Sequence, residues 1–287
     1  MATLTFDTLV DADTLGANLG NPDWRVVDCR HDLLHPDAGE TAYAQGHIVC
    51  AVFAHLDRDL SGPKAPRTGR HPLPDPDQLA ESFRRWGIDR HTQIVAYDAN
   101  GGSFAGRLWW LARWLGHEKV ALLDGGWQAA LAAGFPIETG QHEPARGRFE
   151  RSSPRERPVD ADAVQAARAD PGWLVIDARA RDRYTGQNET IDPVGGHIPG
   201  AVNRFWQQNL ESEGRFKSAA KLRAEFAALL AARPAAHVIA QCGSGVTACH
   251  LLLAMRRAGL TGARLYAGSW SEWITDPARA VAVGTDP

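Results

Sequence analysis

The fold is decided by residues 238–247, VIAQCGSGVT, and by the apolar segment that follows them. The first three residues form a short apolar run of the type found in buried strands, and the pattern from residue 246 onward is helical. Gly243 and Gly245 interrupt both patterns, because glycine permits the positive φ angles of a tight turn. A strand, a glycine-rich loop and a helix in this order predict the crossover of a parallel α/β sheet. The loop would then lie at the carboxyl edge of the sheet, where α/β proteins place their sites.

Cys242 is the first residue of this loop and the predicted nucleophile. Backbone N–H groups of the turn and the N-terminus of the following helix would point at its sulfur, and both favour a thiolate. The neighbouring loop residues Gly243, Gly245, Val246 and Thr247 are predicted to line the substrate site. The alternative interpretation is a buried structural thiol beside a glycine turn.

A phosphatase with the pattern Cys-x5-Arg is a second interpretation of the loop, in which the arginine clamps phosphate. The position six residues after Cys242 is occupied by Ala248. The chain therefore lacks the arginine that phosphate chemistry would need there.

The chain also contains an internal repeat, in which four segments recur in the same order at nearly constant separation. WRVVDCR (24–30) recurs as WLVIDAR (173–179), GHIVCAV (46–52) as GHIPGAV (196–202), IVAYD (94–98) as VIAQC (238–242), and LDGGW (123–127) as YAGSW (266–270). Asp98 stands where the second copy has Cys242, and a carboxylate cannot carry a transferred sulfur. We therefore predict two copies of one folding unit, of which only the second is catalytic.

The segment between the copies predicts the domain boundaries. Residues 141–158 are polar, basic and interrupted by proline, which favours a surface linker over a long loop inside one domain. The predicted division is an N-terminal domain over 1–140, a linker over 141–158 and a catalytic C-terminal domain over 159–287.

Each copy alternates β-branched runs with amphipathic stretches, which predicts an α/β fold with a parallel sheet flanked by helices. Strands are predicted over 25–28, 93–97, 119–122, 174–177, 237–241 and 263–266, and helices over 76–86, 103–115, 127–133, 219–232 and 246–258.

Composition and charge exclude several classes of protein. The chain is 44% hydrophobic and 23% charged with a net charge of -3, so no excess of positive charge would attract nucleic acid or a membrane. No apolar run is long enough to span a bilayer, and the N-terminus does not resemble a signal peptide. The four cysteines form no CxxC pair or zinc pattern, which predicts free thiols. We expect a cytoplasmic protein that needs no metal or organic cofactor.

Three segments carry a family resemblance: CGSGVT (242–247), GHIPGA (196–201) and GSWSEW (268–273). Together they resemble the two-domain sulfurtransferases of the rhodanese superfamily, and among these the 3-mercaptopyruvate sulfurtransferases. The resemblance implies two tandem rhodanese-like domains, the first silent and the second active. Rhodaneses proper, which use thiosulfate, tend to carry basic residues at the second and third loop positions, where this chain has Gly243 and Ser244.

The resemblance also implies further site residues. In mercaptopyruvate-type members the loop serine joins a histidine and an aspartate of the first domain in a proton relay, and the matching residues are Ser244, His71 and Asp57. Such a set makes chemical sense, because a histidine beside a carboxylate can pass a proton through a hydroxyl to the departing enolate. Arg183 takes the place of an arginine that holds the anionic end of the substrate.

The chain departs from the family pattern at three positions. Asp192 stands where animal mercaptopyruvate enzymes carry a second substrate arginine, and Thr185 stands where many relatives have another arginine. Ala267 replaces an aspartate that is usual before the GSW segment. The first two departures predict a weaker anion site and leave the preferred donor open.

Five other polar residues are predicted to be structural. Arg179 and its repeat equivalent Arg30 are expected to form ion pairs beside a strand end. His47 and His197 occupy equivalent positions and are expected to support the fold. Cys249 is predicted to lie in the core on the helix after the loop.

The predicted reaction is a double displacement. Cys242 takes a sulfane sulfur from a small anionic donor, 3-mercaptopyruvate, and passes it from a persulfide to a thiol, thioredoxin or cyanide. Two alternatives stay open at this point. One is the same scaffold acting on thiosulfate, and the other is a persulfide carrier or binding module with low turnover.

Overall fold

The computed structural model describes residues 5–286, and the chain divides into two compact units. Unit 1 contains Met1–Gly62, Pro74–Arg155 and Ser212–Arg215, and unit 2 contains Pro63–Leu73, Glu156–Glu211 and Phe216–Pro287. The segment 63–73, predicted for the first domain, thus groups with unit 2, and residues 141–155 group with unit 1. The boundaries at 140 and 159 stay a prediction.

Unit 1 follows the alternation of strands and helices expected from the first copy. Its elements are β1 (Leu9–Val10), α1 (Ala12–Gly16), β2 (Trp24–Asp28), α2 (Ala38–Gln45), β3 (His47–Ile48), β4 (Val52–Phe53), α3 (Pro76–Arg85), β5 (Gln93–Tyr97), α4 (Ala105–Trp114), β6 (Val120–Leu123), α5 (Gly126–Ala132) and β7 (Ile137–Glu138).

Unit 2 repeats this alternation of strands and helices. Its elements are β8 (Pro158–Val159), α6 (Ala161–Ala167), β9 (Leu174–Asp177), α7 (Arg181–Thr185), β10 (Val202–Asn203), α8 (Ala219–Leu230), β11 (Val238–Gln241), α9 (Thr247–Arg257), β12 (Arg264–Tyr266) and α10 (Ser269–Trp273), with 3-10 turns at Trp206–Asn209 and Ala235–His237.

The two main sheets have the same topology. Among the described residues, the strands of unit 1 lie in the order β1-β6-β5-β2-β4 and those of unit 2 in the equivalent order β8-β12-β11-β9-β10. Every neighbouring pair within these sheets is parallel. The register repeats as well, because Asp28 pairs with Tyr97 and Asp177 pairs with Gln241. These sheets confirm the predicted parallel α/β fold.

The core of unit 2 lies against the strand that leads to the cysteine loop. All of β11 is buried, and so is α9 from Ala248 to Met255. Trp270 and Trp273 of α10 are also fully buried in this core. Burial of each large apolar side chain stabilises the folded state by roughly 1.5–3 kcal/mol. The loop between β11 and α9 is therefore held at both ends by packed elements.

The predicted ion pairs are present in both units. Nη2 of Arg30 lies 2.6 Å from Asp28, and Nη2 of Arg179 lies 2.7 Å from Asp177. Each arginine also donates to the carbonyl of the glycine that precedes the repeated histidine. The prediction that these arginines are structural is confirmed.

The repeated histidines have matching environments too. Nδ1 of His47 donates to the carbonyl of Tyr43 at 2.8 Å, and Nδ1 of His197 donates to that of Tyr184 at 2.9 Å. In both pairs the rings stack with centroids 3.8 Å apart. A shared packing role, rather than a catalytic one, is what the repeat predicted.

The segment predicted as a linker is anchored to unit 1 over much of its length. Phe149 is buried and its ring centroid lies 4.9 Å from that of Phe83 on α3. The N–H of Ser152 donates to the carbonyl of Leu115 at 3.0 Å. Up to residue 155, this stretch is therefore held against the unit that precedes it.

The predicted strands and long helices agree with the structure to within about two residues. The prediction missed the edge strands and the short helices, namely β1, β3, β4, β7, β8, β10, α1, α2, α6, α7 and α10. Two-residue strands and five-residue helices are too short to carry a hydrophobic period, and this explains most of the omissions.

Candidate active site

The cysteine loop runs from the end of β11 to the first residue of α9, as the sequence predicted. Cys242 is 2% exposed, and its Sγ accepts a hydrogen bond from the N–H of Gly245 at 3.2 Å. Gly245 has a φ of +76°, and a side chain there would collide with the carbonyl of Ala267. Glycine is thus required at 245, and the turn that it permits points a backbone donor at the sulfur.

The main chain of Cys242 is held by the start of α10. Its N–H donates to Oγ of Ser269 at 3.0 Å, and its carbonyl accepts from the N–H of Trp270 at 3.0 Å. Oγ of Ser269 donates in turn to the carbonyl of Tyr266 at 2.9 Å. These bonds fix the backbone on which the thiol is carried.

Ser269 was not among the predicted site residues, although the repeat contained a signal for it. Its φ of +54° is unusual for a residue with a side chain, and such strain costs of order 1 kcal/mol or more. The repeat equivalent is Gly126, which has the same φ of +54°. Ser269 thus occupies a backbone conformation that favours glycine, and its hydroxyl accepts the N–H of Cys242.

Two of the three predicted relay residues lie in direct contact. Nδ1 of His71 is 2.7 Å from Oγ of Ser244, and both residues are buried. His71 belongs to the 63–73 segment of unit 2. Asp57 lies in unit 1, where its N–H donates to Nδ1 of His55 at 3.1 Å. Its part in the relay stays a prediction.

Arg183 lies on α7 and is held by two carboxylates. Its Nε donates to Glu189 at 3.0 Å and its Nη2 to Oδ2 of Asp192 at 3.1 Å. The other oxygen of Asp192, Oδ1, accepts from Nη1 of Arg70. Burial raises the pKa of Asp192 despite its arginine partners. The residue that departs from the family pattern therefore pairs with two guanidinium groups.

Gly243 lies beside both of these guanidinium groups. A Cβ built at this position would lie 2.8 Å from Nη2 of Arg70 and 3.4 Å from Nη2 of Arg183. Two guanidinium groups, each paired with a carboxylate, thus lie beside the loop although the loop itself carries no basic side chain. Sequence reasoning did not single out Arg70, because nothing local to residue 70 indicates a partner at Asp192.

The remaining predicted positions have mainly structural environments. Val246 is buried and Thr247, the first residue of α9, is partly buried. Oγ1 of Thr185 donates to the carbonyl of Asp182 at 3.1 Å and so closes the last turn of α7. A direct contact of Val246 or Thr247 with substrate stays a prediction.

The other cysteines lie in environments unlike that of Cys242, and all four are free thiols. Burial, with nearby carboxylates, raises the pKa of Cys29 well above its ordinary value, which keeps that thiol protonated and unreactive. Cys249 is buried on α9 and donates to the carbonyl of Gly245 at 3.2 Å. The prediction that Cys249 belongs to the core is confirmed.

In unit 1 the equivalent loop is filled by a carboxylate. Oδ1 of Asp98 accepts the N–H groups of Asn100 and Gly102 at 2.8 Å, and Oδ2 accepts those of Phe104 and Ala105 at 2.8 and 2.9 Å. The donors that could stabilise a charged sulfur are thus used by a fixed side chain. Burial raises the pKa of Asp98, although these four bonds oppose the shift.

We expect Asp98→Ala to lower the free energy of unfolding by about 2–4 kcal/mol, because four backbone N–H groups, three of them in buried hydrogen bonds, lose their acceptor. Urea titration at neutral pH measures the loss, and Asp13→Ala, at an exposed position of α1, is the matched control.

Since the folded-state pKa of Asp98 is raised, its proton stabilises the folded state at low pH. This stabilisation disappears as pH rises from the ordinary carboxyl range through the raised value. If Asp98→Ala lowered the free energy of unfolding no more than Asp13→Ala does, the structural role of Asp98 would be contradicted.

Comparison with known proteins extends these observations. Residues 11–133 and 160–276 each match the family model described as the Rhodanese-like domain. A protein of Pseudomonas aeruginosa named "Probable 3-mercaptopyruvate sulfurtransferase" is 48% identical over 278 residues, which cover 96% of this chain and 98% of that protein. The two matched stretches fall on the two copies of the repeat.

Two further relatives span nearly the same length. The thiosulfate sulfurtransferase of Bos taurus is 31% identical over 272 residues, covering 92% of this chain and 89% of that protein. The crystal structure of SseA from Escherichia coli, described as a 3-mercaptopyruvate sulfotransferase with the rhodanese fold, superposes with a TM-score of 0.79 at 31% identity. That match covers 93% of this chain and 100% of the other.

Proposed function

The chain belongs to the rhodanese family and is a sulfurtransferase, and we propose that its donor is 3-mercaptopyruvate. In this proposal Cys242 carries the sulfur as a persulfide and passes it to a thiol, thioredoxin or cyanide. The Pseudomonas aeruginosa protein with mercaptopyruvate in its name is 48% identical to this chain, whereas the thiosulfate sulfurtransferase of Bos taurus is 31% identical, and this difference supports the choice of donor.

The observation that carries the proposal is the 2.7 Å contact between Oγ of Ser244 and Nδ1 of His71. Ser244 lies two residues after the nucleophile. When mercaptopyruvate gives up its sulfur, the carbon keeps the electron pair as an enolate, which must be protonated to become pyruvate. Thiosulfate releases sulfite, which needs no such proton. A buried hydroxyl–imidazole pair beside the cysteine therefore suits the first donor better.

The proposed reaction balances without an added reagent. The Cys242 thiolate attacks the donor sulfur, the S–S bond forms and the C–S bond breaks. The proton of the donor thiol passes through Ser244 and His71 to the methylene carbon of the enolate. The persulfide anion that remains is stabilised by the N–H of Gly245, which already lies 3.2 Å from Sγ. The acceptor then attacks the outer sulfur and regenerates the thiolate.

The other predicted site residues enter with roles of their own. Arg183 is proposed to bind the carboxylate of the donor, and Gly243, Val246 and Thr247 to line the site around it. Asp57 is proposed as a further member of the proton relay, on the ground of the family resemblance. None of these steps calls for a metal or an organic cofactor.

The proposed location is the cytoplasm, and neither nucleic acid nor a membrane is among the proposed partners. None of the helices within residues 5–286 has the length and apolar character to cross a bilayer. The four unpaired thiols support a reducing compartment.

The donor is tested by initial rates with 3-mercaptopyruvate and with thiosulfate at a fixed concentration of cyanide. We expect the higher kcat/KM with mercaptopyruvate. A higher value with thiosulfate would overturn the donor assignment while preserving the mechanism at Cys242. A persulfide on Cys242 that is stable by mass spectrometry, with no release to any acceptor, would instead identify a carrier protein.

A further inference from the structure

The cysteine loop carries no positively charged side chain that could bind an anionic donor. Its second and third residues are Gly243 and Ser244, so the loop itself supplies no cation for an anionic donor. Arg183 is one source of positive charge, but its Nε and Nη2 already bond to the carboxylates of Glu189 and Asp192. This guanidinium faces two carboxylates, one of which, Glu189, is also paired with Nη1 of Arg179 at 3.4 Å, so Arg183 alone brings no excess of positive charge.

Arg70 supplies a second guanidinium at the same place. Its Nη2 lies 2.8 Å from the position that a Cβ of Gly243 would occupy. Any residue other than glycine at 243 would have to displace it. Arg70 therefore occupies the space that a side chain at position 243 would fill, and the glycine at this position leaves room for the guanidinium group.

The backbone of Arg70 is tied to the loop by two hydrogen bonds through one residue. The N–H of Arg70 donates to Oγ of Ser271 at 3.0 Å, and the N–H of Ser271 donates to the carbonyl of Gly243 at 2.9 Å. The position of the guanidinium relative to the loop is thus set by main-chain contacts as well as by its own ion pair.

Asp192 joins the two arginines. Its Oδ1 accepts from Arg70 and its Oδ2 from Arg183. The Asp192 side chain is 3% exposed, whereas those of Arg70 and Arg183 are 25% and 17% exposed. The Asp192 carboxylate is therefore buried, whereas part of each guanidinium group stays accessible to solvent and to a bound anion. This geometry suits a planar carboxylate, which guanidinium groups bind through paired N–H donors.

We propose that Arg70 is the second anion-binding residue of this site, and that Asp192 holds Arg70 and Arg183 in the orientation that receives the carboxylate of the donor. The inference rests on the proposed function for the identity of the donor. Arg70, Arg183, Glu189 and Asp192, with the Arg179–Asp177 pair that joins them through Glu189, together carry three positive and three negative charges. The site therefore selects a singly charged carboxylate by geometry and does not attract doubly charged anions by excess charge.

The first test is steady-state kinetics with 3-mercaptopyruvate. We expect Arg70→Gln to raise KM by about 10- to 100-fold with kcat changed by less than about threefold, since a charged hydrogen bond common to ground and transition states is lost. Arg70→Lys should recover part of the loss, because it keeps the charge but not the paired donors. Arg67→Gln, at an exposed position of the same segment, should match the wild type.

The second test reads anion binding beside Cys242 without any sulfur donor. Iodoacetate is a carboxylate and iodoacetamide is its neutral counterpart, so the ratio of their alkylation rates at Cys242 measures local anion recognition. Peptide mass spectrometry assigns the modified thiol. We expect this ratio to fall about 10-fold in Arg70→Gln, to recover partly in Arg70→Lys and to stay constant in Arg67→Gln.

The two tests separate this inference from the proposed function. A wild-type enzyme that does not use mercaptopyruvate, but whose alkylation ratio depends on Arg70, would refute the donor and support the anion site. The opposite result is an enzyme that turns over mercaptopyruvate, but in which Arg70→Gln changes neither the KM nor the ratio of alkylation rates. That result would overturn the role of Arg70. If Arg70→Gln does not fold because Oδ1 of Asp192 loses its donor, the variant Arg70→Gln/Asp192→Asn removes both charges, and its comparison with Asp192→Asn alone gives the same readout.

Discussion

Replacing Cys242 with serine is expected to reduce kcat/KM for sulfur transfer by roughly 10⁴-fold or more. A hydroxyl in place of Sγ cannot form a persulfide, so the first displacement has no product. Serine is close to cysteine in size, and the N–H of Gly245 that now donates to Sγ can donate to an oxygen. The fold should therefore survive, with an unchanged circular dichroism spectrum and a free energy of unfolding within about 1 kcal/mol of wild type.

The matched control is Cys249→Ser, which makes the same chemical change seven residues further along the chain. Cys249 is buried on α9, and its Sγ donates to the carbonyl of Gly245, a bond that a serine hydroxyl can also make. This variant should retain activity. Appreciable turnover by Cys242→Ser, or equal losses in both variants, would show that the sulfur is carried elsewhere.

The internal repeat explains why so much of the fold was predictable. The strands β2, β5, β9 and β11 each contain a short buried apolar run, and the order of these runs in the sequence repeats. A parallel sheet buried on both faces follows from that pattern alone. The nucleophile was predictable for a similar reason, since a cysteine between a strand and a helix is a local feature.

The parts of the site that could not be predicted depend on distant contacts. Arg70 and Asp192 are separated by 122 positions, and no local periodicity relates them. Asp192 alone looked like a weakened anion site, because an acid had replaced a family arginine. With Arg70 beside it, the same acid orients two guanidinium groups. The grouping of segment 63–73 with unit 2 was equally invisible in the sequence.

Ser269 shows a third kind of omission. Ser269 has a left-handed φ, and its hydroxyl accepts a hydrogen bond from the backbone N–H of Cys242. Its role is therefore to hold the backbone of the nucleophile. Nothing in the side-chain type indicates this. The comparison with Gly126 in the other copy was the available signal, because one position of a repeat rarely favours glycine in one copy and a buried serine in the other without a reason.

Ser244→Ala and His71→Gln are each expected to lower kcat with 3-mercaptopyruvate by about 10²- to 10³-fold, the usual contribution of a positioned proton donor. Each substitution breaks the 2.7 Å contact between Oγ and Nδ1 and so removes the proton path to the enolate. KM should change little, since neither group is proposed to bind the carboxylate. With thiosulfate the losses should be at most about 10-fold, because sulfite leaves without a proton.

The double variant decides whether the two residues act as one unit. If the proton passes through both, Ser244→Ala/His71→Gln should be no slower than the worse single variant, since either change already interrupts the path. His237→Gln, at an exposed position of unit 2, controls for the loss of an imidazole elsewhere. Multiplicative losses in the double variant would assign the two residues separate tasks. Losses of equal size with both donors would mean that the pair positions the cysteine loop, because a purely structural defect cannot distinguish an enolate from sulfite as the leaving group.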